Sequence, residues 1–145
     1  MRKFLRVLFA VILGLIVGSV VNMALITVSG KVIAPPTGAN VTTMEGLKAS
    51  MHLFEPKHFL FPFLAHALGT LAGAFVAALL APSKSAVPSY VVGALFLAGG
   101  IANVIMLPSP MWFTAVDLLL AYLPTAWLGW TLALRTLAKR GTGRV

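Results

Sequence analysis

The chain has no cysteine and only three acidic residues in 145. The first absence excludes disulfides, thiolate metal sites, iron–sulfur clusters and thiol redox chemistry together. Charge of either sign is scarce, at 10%, whereas 59% of the residues are hydrophobic, a balance far from that of soluble domains. Phosphate loops, dinucleotide fingerprints, HExxH and nucleophile motifs are also missing. Glu55 and Asp117 have no spacing that would make them a catalytic pair. The residues point to no catalytic group and no cofactor, so the chain reads as non-enzymatic.

What is present is four apolar runs, at residues 4–29, 58–81, 90–107 and 111–134. A hydrocarbon core about 30 Å thick needs roughly 20 apolar residues as helix, and in lipid the helix satisfies its own backbone polar groups. The third run is shortest, but no charge interrupts it. Residues 1–145 therefore read as a single transmembrane domain. The expected fold class is an all-α integral membrane protein, a four-transmembrane-helix bundle. The N-terminus resembles a secretion signal in charge, but its apolar run is longer than a signal's and lacks a cleavage site. It is read as an uncleaved first span.

The net charge of +8 is distributed unevenly. Arg2, Lys3, Arg6, Lys84, Arg135, Lys139, Arg140 and Arg144 lie at one set of span ends and Lys31, Lys48 and Lys57 at the other, eight against three. That is a positive-inside bias, which puts both termini in the cytoplasm of a multi-pass protein of the plasma (inner) membrane. The excess suits anionic headgroups of the lipid bilayer, not nucleic acid.

The outer loop, residues 30–57, carries Pro35-Pro36-Thr37-Gly38 as a turn. Thr42-Thr43-Met44-Glu45 then has capping-box spacing, with Thr42 capping and Glu45 reaching back. Met44, Leu47, Met51 and Phe54 follow on one helical face. A short amphipathic interfacial helix is expected, ended by Pro56. Pro124, in the middle of the last span, must kink it or free the Leu120 carbonyl.

Gly18 to Ile26 of the first span aligns with Gly99 to Leu107 of the third, each with Gly four residues before Asn. This suggests two helical hairpins related as a parallel repeat. Small residues recur every four positions: Ala65, Gly69, Gly73, Ala77 and Ala81 on the second span, and Ala10, Gly14 and Gly18 on the first. Such stripes let helices approach closely, within one bundle, in a homo-oligomer or against a larger membrane complex.

The polar residues within the spans are few. Asn22, His66, Asn103 and Asp117 lie about 4–8 residues from the outer ends of their spans, roughly 6–12 Å deep at 1.5 Å per residue. His66 and Asp117 are an obvious pair, with Thr70 and Thr114 placed to extend the network. Together these six are the candidates for binding a small ligand, ion or proton, and Glu45, His52, Glu55 and His58 would surround the mouth. An imidazole beside a carboxylate is a group that exchanges protons near neutrality. The competing reading is a structural network that fixes helix register. His52, Glu55 and His58 have zinc-ligand chemistry, but Pro56 interrupts their spacing, so no metal site is expected. With only His66 inside a span, a bis-His haem is excluded. Two roles stay open: ligand binding at the polar cluster, or an accessory or assembly subunit that packs through its Gly/Ala faces.

Overall fold

The computed structural model describes residues 1–142, with backbone only for the last two; Arg144 lies outside the described residues. The protein is all-helical, 81% helix, without strands among the described residues. The order is α1 (Arg2–Val32), α2 (Met44–Ser50), two 3₁₀ turns (Met51–Leu53 and Pro56–Phe59), α3 (Leu60–Leu80), α4 (Val87–Met106), α5 (Met111–Leu120) and α6 (Leu123–Thr142). Four helical stretches are long and apolar enough to cross a membrane: Arg2–Val32, Pro56–Leu80, Val87–Met106 and Met111–Arg140. The last counts α5 and α6 as one path.

α3 is the central helix, and α1, α4 and α6 all pack on it. Its interior surface is made of small residues, because close backbone approach is the main attraction between helices where water supplies no drive. A Cβ on Gly14 would stand 2.6 Å from the Gly73 carbonyl oxygen, and one on Gly73 would stand 2.6 Å from that of Gly14. Gly18 and Gly69 face each other in the same way one turn along, so α1 and α3 run antiparallel. Ala77 packs with Val11 and Val92 in the same region, and Ala65 is fully buried. α6 reaches α3 through Gly129, whose Cβ would meet the Leu71 carbonyl at 2.6 Å. Ser89 on α4 donates to the Ala74 carbonyl of α3 at 2.9 Å, a buried polar link.

The last span is interrupted where Pro124 predicts. Pro124 has no N–H for the Leu120 carbonyl, and Ala121 and Tyr122 form a turn between α5 and α6. The Thr125 hydroxyl donates into the break, 2.6 Å from the Ala121 carbonyl and 2.9 Å from that of Tyr122.

The loop differs from the sequence expectation in two ways. Thr43, not Thr42, caps α2: its hydroxyl accepts from the Gly46 amide at 3.0 Å. The Thr42 hydroxyl instead donates to the Asn40 side chain at 2.7 Å, and Glu45 makes no bond back among the described residues. Nor does the helix continue to Pro56. It ends at Ser50, tightens into the first 3₁₀ turn, and opens at Phe54 and Glu55. Glu55 is extended (φ −89°, ψ 163°) because the following proline ring disfavours the helical conformation there. Pro56 begins the second 3₁₀ turn.

Candidate functional site

The antiparallel crossing of α1 and α3 positions the first polar side chain. With Gly18 set against Gly69, Asn22 falls one turn further on, beside the turn of α3 that carries His66. A Cβ on Gly69 would stand 3.1 Å from that of Asn22, so the glycine leaves room for the amide-bearing turn. On α4, Gly100 plays the corresponding part for Tyr122, because any Cβ there would collide with the phenol. Asn103 lies one turn beyond Gly100.

His66 and Asp117 meet. The imidazole Nδ1 is 2.9 Å from Oδ1 and 3.0 Å from Oδ2 of the carboxylate. The Tyr122 hydroxyl donates to Oδ2 at 3.0 Å, and its ring stacks on His66 at 5.7 Å between centroids. Asp117 is 2% exposed and Tyr122 1%. A buried carboxylate needs donors, and here two aromatic side chains supply them. An ionised carboxylate only accepts, so Nδ1 carries a proton and Nε2 is the ring atom left for another partner.

Two cavities adjoin this network. The larger, about 700 Å³, lies at the end of the bundle that carries the loop. The smaller, about 270 Å³, is a slot lined by Ser19, Phe96 and Gly99. Asn22, Met23, His66 and Asn103 line both. The apolar side chains of the loop, Met44, Leu47, Met51 and Phe54, all turn over the larger cavity, and Asp117 lies in its wall. Phe59 carries the loop's anchorage, packing on Phe113 at 4.8 Å and Trp112 at 5.6 Å between ring centroids.

Asn22, His66, Asn103 and Asp117 are therefore brought together, but the rest of the expected set divides. Thr114 shares a hydrogen bond with Ser109 at 2.9 Å, closing the α4–α5 turn without extending the network. Thr70 is fully buried, lines neither cavity, and its hydroxyl has no partner among the described residues; nothing in the structure accounts for it. Of the mouth residues only His58 lines the cavity. His52 turns back to the Ala49 carbonyl at 2.9 Å. Glu55 pairs with Lys57 at 3.0 Å in solvent, and the hydrogen bond and charge of that ammonium hold its carboxyl below the usual carboxylate range. Among the described residues no three His, Asp or Glu side chains form a group able to hold a metal ion. In the aligned stretches, Gly18 is packed against α3 while Gly99 has open space, so the two stretches do not use their glycines alike.

Tyr122 is the participant that the sequence reading missed. The only hint was its place between Asp117 and Pro124, where a helix break would be needed to turn it back onto the carboxylate. Comparison with family models, with curated protein sequences and with solved structures finds no match for this chain.

Proposed function

We propose that this chain is a non-enzymatic integral membrane protein of the plasma (inner) membrane, with both termini cytoplasmic, whose two helical hairpins enclose a small-molecule site open toward the outer side. The ligand enters beneath the loop and reaches a floor made by His66 and Asp117, with Tyr122 in the wall of the adjoining slot. One observation carries this reading: the Asn22 and Asn103 amides, from two different helices, line the same cavity as His66, and neither has a hydrogen-bond partner among the described residues. A network that only fixed helix register would spend those amides on each other or on the His66–Asp117 pair. The volume also suits a ligand, since small-molecule sites run from about 300 to 1,000 Å³. The break between α5 and α6 adds support, because interrupted helices at membrane depth belong where they line a cavity.

The absence of native cysteine makes the test direct. In sealed vesicles with the loop outside, a small charged thiol reagent should modify a single Val104→Cys, which faces the larger cavity. It should leave Ile101→Cys, on the exposed face of α4, unmodified. A Val104→Cys as inert as Ile101→Cys would leave the accessory-subunit role, with partner contact through the Gly/Ala faces, as the better account.

A further inference from the structure

We propose that the cavity takes a neutral amphiphile whose polar end is a hydroxyl group, read by His66 Nε2 together with the carboxamides of Asn22 and Asn103. The inference rests on the cavity reading above and names the class of its ligand.

Neutrality follows from the charges. No Lys, Arg or Glu lines either cavity; the imidazoles are the only groups there able to carry positive charge, and the one at the floor, His66, is already paired with Asp117, so an anion would find no unpaired cation at the floor and would face that carboxylate. A cation would find that carboxylate almost wholly buried, with both oxygens already engaged by His66 and Tyr122. Amphiphilic character follows from the walls. Toward the mouth they are mostly apolar, with Ile26, Met44, Leu47 and Phe61 among them; the Thr27, Ser29 and Ser109 hydroxyls there are spent on local hydrogen bonds, and His58 Nδ1 accepts from the Glu55 N–H, while the unspent carboxamides gather at the floor.

The hydroxyl follows from the atoms left free. Asp117 fixes Nδ1 as the protonated nitrogen, so Nε2 is an acceptor in the neutral ring and a donor in the imidazolium. Each carboxamide offers both a carbonyl oxygen and an NH₂. A hydroxyl can donate and accept at once, so it satisfies Nε2 in either state and an amide beside it. An ether can only accept, which strands the amide oxygens and a neutral Nε2. Leaving such groups desolvated without a partner is what separates two ligands of the same shape. Asp117 and Tyr122 act here as positioning residues, holding the tautomer and the ring plane.

The test uses the Val104→Cys protein in sealed vesicles and two probes matched in shape, 4-hexylphenol and its methyl ether, 4-hexylanisole. The phenol should protect the thiol from the charged reagent at a concentration about three- to tenfold lower than the ether, the difference that one net hydrogen bond makes. That preference should vanish in His66→Phe. It should shrink in Asn103→Leu, which leaves the His66–Asp117–Tyr122 bonds untouched. In Asp117→Leu, which offers Nδ1 no acceptor, ¹⁵N shifts of the His66 ring should show the proton no longer fixed on Nδ1. Equal protection by both probes, or none by either, overturns the hydroxyl assignment. The labelling rate without probe reports separately on whether the cavity is open, so failure of the ligand class and failure of the cavity give different results.

Discussion

Two neighbouring glycines on α4 have opposite surroundings. Gly100 receives the Tyr122 phenol so closely that a Cβ would collide with its hydroxyl, whereas Gly99 has nothing within 4 Å. Both are helix-interior positions, so alanine brings the same gain in helix propensity at each, about 1 kcal/mol. The outcomes should nevertheless diverge. Gly99→Ala should leave stability unchanged or slightly raised, while Gly100→Ala should lose about 1–3 kcal/mol through overpacking that pushes Tyr122 off Asp117. Reversible unfolding in mixed detergent measures both. Equal effects would mean that the phenol is not seated against α4. At this scale the sequence reveals depth but not direction. A helix is a ruler, so residue counts suffice to place His66 and Asp117 at one level. Which way a side chain faces depends on contacts between helices, and in a chain apolar all round no polar stripe marks the inward face. That is why the His66–Asp117 pair was legible and the third member, Tyr122, was not.

At the scale of elements, the apolar runs mark the four long helical paths because each backbone must satisfy its own hydrogen bonds over the same thickness. Pro124 marks the break, since its missing N–H is a local property of one residue. The loop was less legible. Thr42 and Thr43 are adjacent hydroxyls, and the choice of cap depends on Asn40. Its side-chain oxygen accepts from the backbone N–H and the hydroxyl of Thr42, at 3.0 and 2.7 Å, while its backbone N–H donates to the Ser50 hydroxyl at 2.9 Å. These bonds tie the start of α2 to its end and leave Thr43 to cap. Thr43→Ala should therefore cost about 1 kcal/mol of local stability and speed amide exchange at Gly46. Thr42→Ala should leave the Gly46 amide protected. Faster exchange at the Glu45 amide in Thr42→Ala, with Gly46 unaffected by Thr43→Ala, would restore the Thr42 capping box.

The whole molecule exposes large apolar side chains along its length, among them Phe4, Phe9, Ile16 and Val20 on α1, Leu95 on α4 and Leu119 on α5. In water so wide an apolar surface would be an aggregation hazard, whereas in hydrocarbon it is the proper exterior. Apart from Asp117, the charged residues keep to the ends: the cations of the α1 N-terminus, Lys84 and the end of α6 gather at one end, and Glu45, Lys48, Glu55 and Lys57 lie on the loop at the other. The orientation proposed above depends on that excess of cations, since Lys and Arg near span ends resist translocation. Ala39, half-buried in the loop beside the turn at Gly38, and Ser85, exposed in the link before α4, are reporters on the two sides. In right-side-out sealed vesicles, Ala39→Cys should react with an impermeant reagent and Ser85→Cys only after permeabilisation. Reaction of both from one side would defeat the four-span topology. Exchange of the two patterns would keep the spans but invert the protein, and the cavity would then receive its ligand from the cytoplasm. The binding chemistry at His66, Asn22 and Asn103 would stand in that case, because it depends on the packing of α1, α3 and α4 and not on which compartment the loop faces.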